Sequence, residues 1–221
     1  AVLRSILAQK QLPGEVVIAD DGSTDDTARV VEQWQNKNGL TLKHVWQEDE
    51  GFQAAKIRNK AAAIAKGKYL VFLDGDCLIR EGFIEQHFQL AQAGYFVAGN
   101  RVLLSRAFTD EVLRNELTIE SWPIKQFQKN QINRPVALRS IPLGPIRKIA
   151  PKRWRGVKTC NLGVWRSDLL AVNGFDEAFT GWGYEDSDLV IRLLRNRVRH
   201  LSGRYATAVL HLWHSEHDRS E

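Results

Sequence analysis

The feature that most constrains the fold is an alternation of short apolar runs with helical patterns in the first half of the chain. Residues 15–20 (EVVIAD), 41–46 and 68–73 (KYLVFL) are rich in β-branched and apolar side chains, as strands are. Residues 23–38 and 53–65 lie between them and carry apolar side chains at helical spacing. Strands that alternate with helices are typical of parallel sheets covered on both faces. We therefore predict an α/β fold with a mostly parallel sheet flanked by helices.

The second half of the chain carries the same two patterns with a longer gap between them. Helices are predicted at residues 81–93, 167–172 and 185–198, and strands at residues 95–99, 158–164 and 205–211. In open parallel sheets, ligands bind beyond the carboxyl ends of the strands. Because carboxylates follow two of the predicted strands, at Asp20 and at Asp74, we expect the functional site at this edge.

The composition is that of a globular protein. The 221 residues are 43% hydrophobic and 26% charged, which argues against disorder and allows one domain with a substantial core. Cys77 and Cys160 are the only cysteines, so a disulfide scaffold is excluded and reduced thiols are expected. No apolar run has the length of a membrane span, and the first residues lack the pattern of a signal peptide. The sequence therefore favours a cytoplasmic protein.

Positive charge is concentrated in one segment. Between Ser121 and Ser167 there are eleven Lys and Arg residues and no Asp or Glu, whereas the rest of the chain carries 20 basic and 26 acidic side chains. Five of the six prolines also lie there, so residues 123–158 are predicted to form a long loop. Three interpretations stay open: a lid that contacts an anionic ligand, a patch at residues 125–158 that contacts anionic membrane, and a poorly ordered connector.

Two acidic turns follow predicted strands. Asp74-Gly75-Asp76 places two carboxylates on a tight turn, and a divalent cation that bridges a protein to a diphosphate needs one or two such ligands. Asp20 or Asp21 can accept hydrogen bonds from a nucleobase or a ribose. Acidic residues are also ordinary in turns and at helix starts, so a purely structural role is the alternative for each motif.

A further cluster, GWGYEDSD at residues 181–188, comes directly before an apolar helix. The indole of Trp182 suits the apolar face of a sugar, and a carboxylate at a helix start, Glu185 or Asp186, can serve as a general base. First-turn acids are also typical of helices. The Gly-Trp-Gly sequence favours a functional site, because a helix cap does not require it.

Histidines and cations complete the set of candidate residues. His211 and His214 are three residues apart, and imidazole is a common metal ligand, so either can join Asp76 at a metal site. Without carboxylate partners, such histidines are ordinary surface residues. Lys56 and Arg58 belong to the predicted helix that precedes residues 68–73 and can reach a diphosphate at the same edge, although a solvated helix face explains each of them as well.

Taken in order, these stretches resemble inverting glycosyltransferases of family 2. The resemblance rests on VVIADDGSTDDTARVV, GFQAAKIRN, KYLVFLDGDC, CNLGVWRSDLLAVNGFDEAF and GWGYEDSDL, which cover most of the chain. GWGYED and HLWHS are also similar to the carboxyl half of β-1,4-galactosyltransferases and of chondroitin and capsule polymerases. The resemblance implies the GT-A fold, a Rossmann-like nucleotide-diphospho-sugar transferase fold. It further implies one domain over residues 1–221, with a nucleotide-sugar half at 1–100 and an acceptor half at 101–221.

The resemblance also implies a role for each candidate residue. The donor side would comprise Asp20 at the uracil or ribose, Lys56, Arg58 and Asp74, with Asp76 and His214 holding Mn²⁺ or Mg²⁺. His211 stands where the galactosyltransferases have a methionine ligand. The acceptor side would comprise Trp182, Glu185 and Asn161, with Asp186 as the catalytic base. Family members begin with an apolar strand ahead of the helix that starts this chain, so we expect that strand to be lacking here.

The implied activity is a metal-dependent hexosyltransferase reaction with inversion. A hexose or N-acetylhexosamine would move from a UDP-sugar to a glycan or lipid-linked acceptor, in bacterial surface polysaccharide or lipopolysaccharide synthesis. Residues 125–158 would contact the inner face of the cell membrane peripherally, with no nucleic acid partner. Two alternatives are kept: a nucleotidyltransferase, which can use the same acidic turn but has no need of GWGYED, and a nucleic-acid-binding module, which rests on the basic segment alone.

Overall fold

The structure is a computed structural model that describes residues 1–35, 39–181 and 183–215. Helices and strands alternate along the first half, and a long irregular segment separates α5 from β7. The helices are α1 Val2–Leu7, α2 Asp25–Gln35, α3 Ala54–Ile64, α4 Phe83–Leu90, α5 Arg106–Arg114, α6 Arg166–Ala171 and α7 Glu185–Arg195. The strands are β1 Val16–Asp21, β2 Leu42–Gln47, β3 Tyr69–Leu73, β4 Cys77–Ile79, β5 Tyr95–Ala98, β6 Arg101–Leu103, β7 Asn161–Trp165, β8 Arg199–Ser202 and β9 Val209–His211.

The described strands form three hydrogen-bonded groups. β1 pairs with β2, a second sheet has the order β3-β7-β5-β8, and a third has the order β4-β9-β6. The pairs β1–β2, β5–β8 and β6–β9 are parallel, whereas β3–β7, β5–β7 and β4–β9 are antiparallel. The α/β class, with sheets flanked by helices, is confirmed, and the pairing of the strands is mixed rather than mostly parallel. The reason is that β7 returns from the long segment and inserts in the opposite direction between β3 and β5.

Apolar packing explains why the central sheet is stable. Leu162 and Val164 of β7 and Phe96 of β5 are fully buried against Leu189 and Leu193 of α7. The first turn of α7 is thereby held against the sheet, which fixes the acidic residues at its start. Within the described residues, no helix has the length and hydropathy that crossing a bilayer requires.

Most predicted elements are present, with ends moved by a few residues. Four elements were not predicted: α5, the short strands β4 and β6, and β8, which follows the predicted helix 185–198. The strand predicted over 205–211 begins only at Val209. The segment 123–158 contains 3-10 helices at Ile124–Gln126, Pro135–Leu138 and Gly144–Lys148, so the interpretation as a poorly ordered connector is wrong. Short elements of three or four residues leave too little periodicity to be recognised.

Candidate active site

The Asp74-Gly75-Asp76 turn connects two strands of different sheets. β3 ends at Leu73, β4 begins at Cys77, and the turn is closed by a hydrogen bond from the Cys77 amide to the Asp74 carbonyl. β4 lies antiparallel to β9, with Cys77 opposite His211. The Leu212 amide also donates to the Asp76 carbonyl, at 2.9 Å. This pairing places the histidines that end β9 beside the acidic turn.

Asp76, His211 and His214 converge on one point. The Asp76 Oδ2 atom lies 3.2 Å from Nε2 of His211 and 3.2 Å from Nε2 of His214. Adjacent ligands of an octahedral ion with bonds of about 2.1 Å lie about 3 Å apart, so each histidine nitrogen has the spacing of a neighbouring ligand from the Asp76 oxygen. Cys77 is also near, and the ligand atoms of Asp76, Cys77 and His211 lie within 4.8 Å of one another.

Both imidazoles can present an unprotonated ring nitrogen to a metal ion. Burial lowers the pKa of His211, the neighbouring Asp76 charge opposes this effect, and Arg101 and His214 add to it, so the neutral ring is favoured. The Nδ1 atom of His214 lies 2.8 Å from the Ser215 carbonyl oxygen, which can only accept a hydrogen bond. In a neutral His214 ring, Nε2 is therefore unprotonated and faces a carboxylate oxygen. With Nε2 unprotonated, this nitrogen and the Asp76 oxygen form a donor set that fits a divalent cation between them.

Arg58 of α3 connects the acidic turn to the start of α7. Its Nη2 atom lies 3.2 Å from Asp74 Oδ1, and its Nη1 atom lies 3.1 Å from Glu185 Oε1 and 3.6 Å from Asp186 Oδ1. The guanidinium also lies over the Phe175 ring, 5.6 Å from its centroid. One cation thus faces three carboxylates, and a negative excess remains that favours a bound divalent cation.

The pKa of the Asp74 carboxyl is raised in part by this excess of negative charge. Burial raises the pKa of the Asp74 carboxyl, Asp76 and Asp186 raise it further, and Arg58 opposes both effects. A cation bound at the turn would reverse this balance by stabilising the carboxylate.

Asp186 and Glu185 begin α7, where the preceding Tyr184 has a left-handed backbone (φ 70°). Asp186 is buried, and Thr159 Oγ1 donates a 2.5 Å hydrogen bond to its Oδ1 atom. Both Thr159 and Arg58 thus contact Oδ1, which leaves Oδ2 for another group. The Oε2 atom of Glu185 is buried and has no hydrogen-bond partner among the described residues. An unpaired buried acceptor beside an oriented carboxylate is suited to binding a hydroxyl group.

Asp20 and Asp21 hold the β1–β2 pair together at its carboxyl end. Asp20 is buried, accepts a hydrogen bond from the Ser23 amide at 2.9 Å, and lies 2.8 Å from His44 Nε2. Burial alone would raise the pKa of Asp20, but the hydrogen bonds with Ser23 and His44 outweigh it and lower the pKa. Asp21 accepts hydrogen bonds from the Gln47 side chain at 2.6 Å and from the Gln53 amide at 2.7 Å. Both carboxylates are fixed in place, and the lowered pKa favours the ionised form of Asp20.

Three predicted residues lie apart from this cluster. Lys56 forms an ion pair with Glu50 at 3.0 Å, on the exposed face of α3. Asn161 is buried in β7, where its amide contacts His87 and donates to the carbonyls of Asn100 and Thr207. These contacts join strands, and the acceptor role of Asn161 stays a prediction. Trp182 lies outside the described residues.

Thr159 and His44 are the residues that sequence reasoning missed. Thr159 stands two positions before Asn161, within the predicted strand 158–164, but its contact with Asp186 spans 27 residues of sequence. His44 belongs to β2, where nothing in the local pattern distinguishes it from other half-buried strand residues.

Solved structures with the same architecture define the class of fold. GalNAc-T7 with UDP, GalNAc and Mn²⁺ superposes with a TM-score of 0.65 at 17% identity, over 97% of this chain and 41% of that one. S. aureus TarS 1–349 in complex with UDP-GlcNAc superposes with a TM-score of 0.61 at 21% identity, over 100% of this chain and 56% of that one. The chain therefore has the GT-A fold.

The family follows from the sequence comparisons. Residues 1–149 match Glycosyl transferase family 2, and residues 148–217 match the N-terminal domain of galactosyltransferase. The chain is 32% identical over 191 residues to validoxylamine A glucosyltransferase of Streptomyces hygroscopicus subsp. jinggangensis, which covers 81% of the chain and 43% of that protein. It is 26% identical to chondroitin synthase of Escherichia coli over 82% of the chain and 28% of that protein. The chain belongs to glycosyltransferase family 2 and spans less than half the length of these relatives.

Proposed function

We propose that this chain is a metal-dependent, inverting glycosyltransferase that moves a hexose or N-acetylhexosamine from a UDP-sugar to a glycan or lipid-linked acceptor. The observation that carries the proposal is the joint placement of two groups at the turn after β3. Asp76, His211 and His214 form a ligand set, and Arg58 links Asp74 to Glu185 and Asp186 beside it. In this proposal the first group holds the donor diphosphate through the metal, and the second group supplies the base.

The compounds bound to similar structures support the choice of donor and metal. The neighbour GalNAc-T7 contains UDP and Mn²⁺, and the neighbour TarS contains UDP-GlcNAc. In this chain, Asp76, His211 and His214 would hold Mn²⁺ or Mg²⁺. The ion would act as a Lewis acid on the leaving diphosphate. Asp20 would bind the uracil or the ribose, and Arg58 and Asp74 would contact the donor, with Lys56 nearby.

The residues at the start of α7 would act on the acceptor. Asp186 accepts the proton of the acceptor hydroxyl at Oδ2, because Thr159 and Arg58 contact its other oxygen. Thr159 acts as a positioning residue that holds the carboxylate in one orientation. Glu185 offers its unpaired Oε2 atom to an acceptor hydroxyl. The acceptor oxygen attacks the anomeric carbon on the face opposite UDP, so an α-linked donor gives a β-glycoside.

The acceptor and its location form the last part of the proposal. Chondroitin synthase of E. coli, a relative of this chain, is named for a polysaccharide product, which supports a glycan acceptor in bacterial surface polysaccharide synthesis. Residues 125–158 would contact an anionic membrane peripherally at its inner face, since this segment contains Lys and Arg but no Asp or Glu. Trp182 and Asn161 would contribute to acceptor binding.

The test is a product assay with candidate donors. The chain is incubated with Mn²⁺ and UDP-glucose, UDP-galactose or their N-acetylamino counterparts, and with candidate acceptor sugars, and NMR identifies the products. We expect UDP release and a β-anomeric product, both abolished in Asp186→Asn while UDP binding is retained. Release of pyrophosphate would instead indicate a nucleotidyltransferase, and an α-anomeric product would contradict inversion.

A further inference from the structure

Two aliphatic side chains are exposed side by side in the basic segment. Ile146 is 59% exposed and Ile149 is 74% exposed, in and directly after the 3-10 helix Gly144–Lys148. The Ile149 amide donates to the Ile146 carbonyl at 3.2 Å, which continues the 3-10 turn. Side chains three positions apart on such a turn eclipse each other, so the two isoleucines form one apolar ridge.

The turn is anchored to the protein, which keeps this ridge on the outside. The side chain of Arg147, between the two isoleucines, is buried and donates to the carbonyls of Ser202 at 2.7 Å and Arg204 at 2.8 Å. The His200 amide donates to the Pro151 carbonyl at 2.8 Å. The segment is therefore fixed to β8 and the residues after it both within the ridge and directly after the ridge.

Cations surround the ridge. Lys148 lies over the Tyr95 ring, 5.0 Å from its centroid. Arg153 follows Pro151 in the part of the segment that is fixed to β8, and its amide donates to the Ala150 carbonyl at 3.1 Å. Lys148 and Arg153 form no ion pair with a carboxylate within the part of the chain that the structure describes. Their charges are available to an anionic partner.

The ridge lies away from the candidate active site. In the sheet β3-β7-β5-β8, β8 forms the edge opposite β3, the strand that leads into Asp74. Three strand spacings of about 4.8 Å separate the two edges by about 14 Å. A flat partner bound along β8 would leave the turn after β3 accessible.

We propose that Ile146 and Ile149 insert into the interfacial layer of an anionic membrane, with Lys148, Lys152 and Arg153 on the lipid headgroups. This inference rests on the membrane contact in the proposed function and names the residues that make it. Exposed branched aliphatic side chains gain from the acyl boundary, whereas a soluble polyanion would use the cations alone. The combination of a fixed apolar ridge with unpaired cations favours a lipid surface.

The test is flotation of the whole chain with vesicles. We expect binding to phosphatidylglycerol–phosphatidylcholine vesicles, weak binding to phosphatidylcholine alone, and a steep loss with added salt. The double variant Ile146→Ser/Ile149→Ser should bind at least about tenfold more weakly, since each buried methylene contributes to interfacial affinity. The double variant Lys148→Gln/Lys152→Gln should lose about fivefold per cation.

Matched controls separate the effect of the Ile146–Ile149 ridge from the effect of removing any two exposed apolar side chains. Val30 and Leu170 are exposed apolar side chains on α2 and α6, so Val30→Ser/Leu170→Ser should bind vesicles like the wild type. Two results together would overturn the proposal: the Ile146→Ser/Ile149→Ser variant binds vesicles as tightly as the wild type, and a soluble polyanion such as polyglutamate displaces both proteins from vesicles equally. They would indicate an electrostatic site for polyanions instead. UDP affinity is measured on the same samples. Lost UDP binding with retained vesicle binding would contradict the transferase proposal alone.

Discussion

Replacing Thr159 by valine isolates the hydrogen bond that orients Asp186. Valine has nearly the shape of threonine and removes the hydroxyl that donates at 2.5 Å to Asp186 Oδ1. In the variant, Arg58 at 3.6 Å is the remaining contact of that oxygen among the described residues. Thr159 is buried, so water cannot readily replace the lost donor.

The expected loss of kcat follows from the charge of the Asp186 carboxylate, which accepts the hydrogen bond from Thr159. A hydrogen bond to a charged group contributes about 1.5–3 kcal/mol, and about 1.4 kcal/mol corresponds to a factor of ten in rate. If the bond is needed to hold the base in its reactive orientation, we expect kcat to fall about 10- to 100-fold. The donor site lacks any contact with Thr159 in the described structure, so KM for the UDP-sugar should not change.

The assay is steady-state kinetics with Mn²⁺ and the donor that gives turnover, together with calorimetric titration of UDP. The variant Thr159→Ser keeps a hydroxyl that can donate the hydrogen bond to Asp186, so it should have most of the wild-type kcat. Thr207→Val is the control for removing a buried hydroxyl, because Thr207 is fully buried and its Oγ1 donates to the Gly203 carbonyl away from Asp186. A Thr159→Val enzyme with wild-type kcat, or one that loses UDP binding while remaining folded, would refute the positioning role.

Three further predictions follow from the same geometry. Removing one imidazole with His214→Ala should weaken UDP binding in Mn²⁺ by at least about tenfold and leave binding in EDTA unchanged, as titration calorimetry would measure. Arg58→Gln leaves Asp74, Glu185 and Asp186 without their shared cation and should destabilise the fold by about 3 kcal/mol in urea unfolding, with part of the loss restored by Mn²⁺. Burial lowers the pKa of His87 to about 4 from 6.5. As pH falls, the His87 imidazole is therefore protonated in the unfolded chain before it is protonated in the folded one. The free energy of unfolding should decrease by up to about 3 kcal/mol as pH drops from 6.5 to 4. A flat stability profile over that pH range, or an unchanged profile in His87→Asn, would contradict the last prediction.

The local parts of the site could be predicted from the sequence. Asp74 and Asp76 follow an apolar run that ends abruptly, and Asp186 lies in the first turn of a strongly amphipathic helix, so their places depend on short-range patterns. The pairing of β4 with β9 then brings His211 to Asp76, as the resemblance implied.

The long-range contacts could not be predicted in this way. The bridge made by Arg58 depends on side-chain rotamers on α3, and the bond from Thr159 joins residues far apart in sequence. The antiparallel course of β7 follows a long irregular segment whose sequence does not indicate the direction of the next strand, and Leu162 and Val164 of β7 pack in one core cluster with residues of α7. Local periodicity contains no information about long-range contacts or about the direction of a strand in its sheet.

The central claim is that a divalent cation at Asp76, His211 and His214 is needed to bind the nucleotide donor. Calorimetric titration of UDP in Mn²⁺ and in EDTA, with the wild type and with Asp76→Asn, tests it most directly. We predict that the wild type binds UDP at least about tenfold more tightly with Mn²⁺, and that Asp76→Asn loses this difference. Equal UDP affinity in Mn²⁺ and in EDTA, or an undiminished Mn²⁺ effect in folded Asp76→Asn, would contradict the claim.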